Sequence, residues 1–570
     1  MRFLRKDQTL NKVEEIKQQR HPLEVHDAIM DTYSKDLSAM KDVPGEVERL
    51  KWVGIYPQKQ GGDAFMMRIK IPGGVLTPEQ TKVIGKLAAD FARGPIPNPH
   101  FGNNFLDLTT RQDVQMHWIK MANVPEIWRR LEEVGITTVQ ACGDSARNVL
   151  CCPVSGLGHD EVIDAYPVAQ AISAYFTGNR EYANLPRKFK MSVTGCLEDC
   201  AQAEINDVGM LPARLEDGTL GFNLRVGGGL SDGPRMASDV DVFVRPEEAV
   251  EITRGIAQVF GELGDRENRW TARMRYLVQE LGPEGFREEL AKRVSIHLTP
   301  AGEDLTKRYR GDHIGIHPQK RGDGGNGVGD AEGRNGGGFE TRPYDQTHPH
   351  YVGLNVPVGR MSGEEFEEAG RLAAEYGDGV RLATDQNLIV TGVPEDRLDE
   401  LLAEPLLERY SPNPGAFERG VVACTGSEFC RFGIVETKVR AVEWAREMDQ
   451  RVGDPGQEAV RMHFSGCSAS CAQPQIGDIG FRGETAKTSD AIVEGVDIGL
   501  GGSLGKDAAF IDWVDGAKPA EEVPDALVAA FAQFKEERRE GERFHEWARR
   551  KKNAELREAL RKPLESRVGS

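Results

Sequence analysis

Met191-Ser-Val-Thr-Gly-Cys-Leu-Glu-Asp-Cys-Ala-Gln-Ala-Glu-Ile-Asn-Asp-Val-Gly209 returns 271 residues later as Met462-His-Phe-Ser-Gly-Cys-Ser-Ala-Ser-Cys-Ala-Gln-Pro-Gln-Ile-Gly-Asp-Ile-Gly480, with nine identities in nineteen positions. Two further pairs follow in the same order at an offset of 274: Gly221 to Leu230 with Gly495 to Leu504, and Leu108 to Val114 with Leu382 to Leu388. Chance similarity of Gly-rich turns would not preserve both order and spacing, so the chain is read as an internal duplication. Each copy of the third pair follows an apolar strand-like run (Phe65 to Ile71; Tyr351 to Val358) and a charged helical stretch (Pro78 to Arg93; Gly363 to Tyr376). This alternation predicts a mixed α+β fold with pseudo-twofold symmetry. Each short unit is too small for a secure core alone, so the two are expected to pair.

A chain of 570 residues exceeds one ordinary core. The expected division is a helical extension (1–50), a first small half-repeat (51–125), a first large domain (126–317), a linker (318–345), a second half-repeat (346–405), a second large domain (406–522) and a helical segment (523–570). The linker is nearly all Gly, Asn and charge between Gly322 and Gly338, with too little apolar surface to order itself. Its glycines do not read as a nucleotide loop, because no strand pattern precedes them and no amphipathic helix follows.

Acidic residues (90) exceed Lys plus Arg (72), giving a net charge of -18. That argues against a nucleic-acid partner, and it suits a high-salt cytoplasm. No apolar run approaches the roughly 20 residues needed to span a bilayer, and Met1 to Arg20 is charged where a signal peptide needs an apolar centre. A cytoplasmic protein without membrane contact is expected. Nine cysteines in such a chain do not read as a disulfide framework.

Four of them form a set: Cys424 and Cys430 as C-x5-C, then Cys467 and Cys471 as C-x3-C. Four thiolates on short loops suit an iron–sulfur cube. By spacing alone a structural zinc site or inert buried thiols stay open, and with them a non-enzymatic metal-binding interaction protein.

At these residues the chain resembles the sirohaem- and 4Fe–4S-containing sulfite/nitrite reductases. The resemblance implies two ferredoxin-like half-units pairing, plus two larger mixed α/β domains that hold the sirohaem and the cluster. It implies that Cys424, Cys430, Cys467 and Cys471 bind the 4Fe–4S cluster, with Cys471 shared with the sirohaem iron. Thr109-Thr-Arg-Gln112, Gly143 to Leu150 and Leu185-Pro-Arg-Lys-Phe-Lys190 look like the family's basic stretches. By resemblance Arg111, Arg147, Lys188 and Lys190 face the substrate anion, while Arg187, Arg273 and Arg275 hold cofactor carboxylates. Guanidinium groups stay protonated and would bind and polarise oxygens, while crowded lysines would lose pKa and pass protons. The implied activity is six-electron reduction of sulfite to sulfide or nitrite to ammonia. No flavin or nicotinamide fingerprint appears, so reduced ferredoxin, the family's usual donor, is expected.

Two features depart from the pattern. Cys196 and Cys200 repeat the C-x3-C in the first half without a C-x5-C; with Cys142, Cys151 and Cys152 they leave a second cluster or buried thiols open. Lys190 stands where ammonia-forming relatives commonly carry Asn, which leans the expectation towards sulfite, the more negative anion.

Overall fold

The computed structural model describes residues 10–159, 161–320 and 349–561. Most of the expected linker lies outside them. Four β-sheets with flanking helices build the molecule as two related pairs.

The two small units exchange edge strands. The first sheet runs Ile55–Pro57, Phe65–Ile69, Val114–Ile119, Gly102–Leu108 and then Arg360–Ser362 from the second half; Arg93–Asn98 pairs with Gly102–Leu108. The other runs Gly315–Pro318, Pro349–Leu354, Leu388–Pro394, Gly379–Leu382 and then Val75–Leu76 from the first half. Arg360 lies opposite Asp107, and Val380 opposite Leu76.

Each donated strand runs into a helix, Pro78–Phe91 or Gly363–Tyr376, started by a capping box: Thr77 with Gln80, and Ser362 with Glu365. The helices press together where side chains are missing. A Cβ on Gly85 would sit 2.3 Å from the Glu367 nitrogen, and one on Gly363 would sit 2.3 Å from that of Ala89. Ile84, Leu87, Phe366 and Leu372 join one apolar core with strand residues of both halves, so each small unit completes the other.

The large units share one topology. Ala146–Cys151, Phe189–Val193 and Val208–Arg214 run parallel, and Leu220–Val226 and Ser238–Val244 continue antiparallel. Val421–Ala423, Met462–Ser465, Ile479–Lys487, Ile492–Leu500 and Asp512–Pro519 repeat this sequence of senses. Parallel neighbours require crossovers, which contain helices Tyr166–Phe176 and Lys438–Val452. The terminal helices Val523–Glu537, Phe544–Arg549 and Asn553–Ala559 bury Leu527, Phe531, Phe534, Trp547 and Leu556 in the second large core.

Two glutamine pairs mark the symmetry. Gln202 and Gln473, from the repeated Cys-Ala-Gln, both have φ of 60° and bond through their side-chain amides, Nε2 of Gln202 donating to Oε1 of Gln473 at 2.9 Å. Gln112 donates to the Leu382 carbonyl at 2.8 Å, and Gln386 to the Leu108 carbonyl at 2.9 Å. Each half thus closes a strand end of the other.

Candidate active site

A cavity of about 660 Å³ opens where the four units meet. Arg111, Arg147, Arg187, Lys188 and Lys190 line it from the first half, and Cys424, Cys430, Cys467 and Cys471 from the second. Residues between 234 and 360 positions apart therefore face one space.

The sulfur wall is made of loops that leave parallel strands. Cys424 follows Val421–Ala423, and its Sγ accepts from the backbone N–H groups of Gly466 at 3.2 Å and Gly426 at 3.4 Å. Cys430 ends a single helical turn, its N–H donating to the Gly426 carbonyl at 3.1 Å. Cys467 and Cys471 follow Met462–Ser465, and Thr110 Oγ1 donates to the Cys471 carbonyl at 3.1 Å. Cys471 is exposed to the cavity. These sulfurs do not form a tight shell: no three of them lie within 4.8 Å of one another among the described residues. A single zinc ion with Zn–S near ~2.3 Å needs such a shell, whereas a multi-iron cube spreads its ligands.

The cationic wall comes from the ends of Ala146–Cys151 and Phe189–Val193. Lys188 and Lys190 are two apart on an extended segment and share a side. Neither ammonium has a hydrogen bond or ion pair among the described residues, and Arg147 uses only Nε, donating to the Gly143 carbonyl at 3.0 Å. Burial, with Arg273 and Arg147 nearby, lowers Lys188 to about 7. Burial, with Arg111 and Lys188, pushes Lys190 well below the ordinary lysine range. Burial beside Arg269 brings Arg187 to about 10. Cations that outnumber the nearby carboxylates, Asp144 and Asp207, make a receptor for anions.

Three expected residues have their guanidinium groups engaged by other parts of the chain. The Arg111 guanidinium turns inward, donating to Asn206 Oδ1 at 2.9 Å and to the carbonyls of Asn148 and Met191 at 2.6 and 3.2 Å. It lines the cavity while bracing the first large sheet. Arg273 and Arg275 are not among the lining residues. Arg273 pairs with Asp207 at 3.0 and 3.1 Å, and Arg275 donates to the carbonyls of Leu230 and Asp232, each at 2.6 Å. Their positive field still reaches inward, since Arg273 helps to depress both lysines.

Sequence reading missed Arg68, Tyr56 and Arg269, which also line the cavity. Arg68 donates to Cys142 Sγ at 2.9 Å and pairs with the Gln115 side chain. Arg269 is tied to Asp144 at 2.5 and 3.0 Å. Arg68 stands on a strand that reads as plain alternation, and no periodicity separates such an arginine from a solvated one.

The geometry agrees with comparisons to known proteins. Residues 142–298 and 415–568 match the family described as "Nitrite and sulphite reductase 4Fe-4S domain". Residues 56–134 and 344–407 match "Nitrite/Sulfite reductase ferredoxin-like half domain". The assimilatory ferredoxin-dependent nitrite reductase of Haloferax mediterranei is 40% identical over 519 residues, covering 88% of this chain and 84% of that one. Ferredoxin–nitrite reductase of Synechococcus elongatus is 38% identical over 528 residues, with 91% and 95% covered. The solved NirA protein of Mycobacterium tuberculosis superposes with a TM-score of 0.86 at 31% identity, over 96% of this chain and 98% of that one.

Proposed function

This chain belongs to the nitrite and sulphite reductase family, and we propose that it is a cytoplasmic nitrite reductase forming ammonia with electrons from reduced ferredoxin. The observation that carries this reading is one cavity walled by four cysteines on one side and by buried cations on the other, Lys188 and Lys190 among them. The family's cofactors are a 4Fe–4S cluster and sirohaem, and the residues present fit both. Cys424, Cys430, Cys467 and Cys471 would hold the cluster, with Cys471 shared with the sirohaem iron. Arg187 would meet sirohaem carboxylates directly, and Arg273 would act through its field. When bound, the two groups supply stored electrons and an iron on which the anion is reduced.

The chain's own residues do the rest. The free ends of the Arg147 guanidinium hold the oxyanion and polarise its oxygens, a charge-assisted contact strengthened by exclusion of water. Arg111, fastened to both flanking strands, keeps Arg147 and the lysines in register. Lys188, at about 7, is cationic on the acid side of neutrality and hands its proton to a departing oxygen.

Sulfite is the second reading, favoured by lysine at position 190. Its electrostatic basis weakens inside the cavity. Burial and the neighbouring Arg111, Lys188 and Arg273 hold Lys190 well below the ordinary lysine range, which disfavours its charged form. The relatives named above are nitrite reductases.

The test is steady-state kcat/KM for nitrite and sulfite with reduced ferredoxin, alongside a visible spectrum of the purified protein. Nitrite turnover to ammonia, with porphyrin-like bands, is expected. Faster sulfite turnover would exchange the two readings, and a spectrum lacking those bands would remove both.

A further inference from the structure

Outside the cavity, the repeated C-x3-C of the first half forms a second group of ligands. Cys152 follows the strand Ala146–Cys151, and Cys196 and Cys200 lie in the loop after Phe189–Val193. All three are buried, and their sulfurs lie within 4.8 Å of one another: Cys196 to Cys200 at 2.9 Å, Cys200 to Cys152 at 3.3 Å. His313 comes from a third segment, its Nε2 3.9 Å from Cys152 Sγ. Glu198, Cys200 and His313 make an overlapping group of the same tightness.

The surrounding backbone is held for this arrangement. Thr384 Oγ1 donates to the Cys200 carbonyl at 2.9 Å, and the N–H groups of Lys307 and Arg308 donate to the Leu197 carbonyl at 2.9 and 3.1 Å. His313 has φ of 60°, a conformation uncommon for residues other than glycine, beside Asp312, which Arg419 grips at 2.9 and 3.0 Å. Inert buried thiols do not require three chain segments to bring three sulfurs together with an imidazole 3.9 Å from one of them.

We propose that Cys152, Cys196, Cys200 and His313 bind one zinc-class divalent cation, a structural site separate from the redox centre. The donor set and its tightness carry this. Three thiolates and an imidazole are a structural-zinc set, and with Zn–S near ~2.3 Å the sulfurs of a tetrahedral site lie roughly 3.8 Å apart. The thiols need to open only slightly to reach that spacing. An iron–sulfur cube would need the wider spread seen among the second-half cysteines. Binding releases the thiol protons to solvent. It also ties the C-x3-C loop of the first half to Cys152 and to the segment entering the strand Gly315–Pro318, which pairs with Pro349–Leu354.

The experiment measures zinc, iron and acid-labile sulfide in the holoenzyme produced with both metals and then passed over a chelator, with zinc-edge X-ray absorption. One zinc per chain with a sulfur shell near ~2.3 Å is expected. Cys200→Ser should lose the zinc and keep iron and sulfide. His313→Ala, at a half-buried position, removes a direct ligand and should release zinc at least about tenfold more readily to chelator, the lower end of the loss seen even for outer-shell partners, and keeps the test open if Cys200→Ser is insoluble. A fully iron-loaded wild type without zinc, zinc retained in Cys200→Ser, loss of iron in that variant, or a Cys196–Cys200 disulfide found after alkylation would each overturn the proposal.

Discussion

The two Cys-x3-Cys loops descend from one sequence and end in different environments. The second-half loop opens into the cavity: Cys471 is exposed there and no three of the four sulfurs crowd together. The first-half loop is shut inside: Cys196 and Cys200 are 8% and 2% exposed, close enough to touch. Meanwhile the first half sends Arg147, Lys188 and Lys190 into the cavity that the second half lines with sulfur. Duplication supplied two equal frames, and the halves then divided the work, one gathering positive charge and the other soft ligands.

The division predicts the largest asymmetry for the cysteines themselves. Cys424→Ser or Cys471→Ser should abolish anion reduction and remove acid-labile sulfide, whereas Cys196→Ser should leave iron and sulfide nearly intact. Iron and sulfide assays on purified variants decide this, and loss of about half the iron in Cys196→Ser would break the comparison.

On the cationic side, Lys188→Met should lower kcat by roughly 10²-fold, the usual scale for a positioned proton donor. Because Lys188 is lowered to about 7, its acid form is depleted as pH rises through that value. The wild-type rate should therefore fall above pH ~7. Lys188→Arg, whose charge does not titrate in this range, should flatten that limb even where it lowers the maximum. A fall of equal shape in both proteins would assign it to another group.

Where the halves remain equivalent, effects should match. Gln202→Ala and Gln473→Ala each leave a buried amide without its partner, which costs about 1–3 kcal/mol. Denaturant titration should give closely similar losses for the two variants. A large difference would show that the symmetry of this pair is geometric and not energetic.

The smallest effect is expected at Lys190. Lys190→Asn should lower kcat/KM for sulfite more than for nitrite, by up to about tenfold, equivalent to ~1.4 kcal/mol. Equal losses would make Lys190 a general anion contact.

By itself, the sequence determined whatever depends on local order and repetition. The duplication was legible as Met191 to Gly209 returning at Met462, and the ligand set as C-x5-C followed by C-x3-C. The paired helices were legible too: Gly363 to Tyr376 runs as expected, and Pro78–Phe91 ends two residues earlier than the charged stretch. Such features follow from spacing along the chain, where 3.6-residue and two-residue periods act directly. The tertiary structure decided which residues meet. Val75–Leu76 and Arg360–Ser362 are too short to announce themselves as strands, and they exist because the opposite half offers an unpaired edge. The resemblance gives Arg273 and Arg275 cofactor carboxylates, while packing decides their partners within the chain, Asp207 and the carbonyls of Leu230 and Asp232. A lowered pKa at Lys190 is expected from the sequence, but its main cause, burial, and two of its cationic neighbours, Arg111 and Arg273, come only from packing. His313 lies 161 residues from Cys152, and only packing brings them together, because burial, field and ligand convergence depend on neighbours in space rather than along the chain.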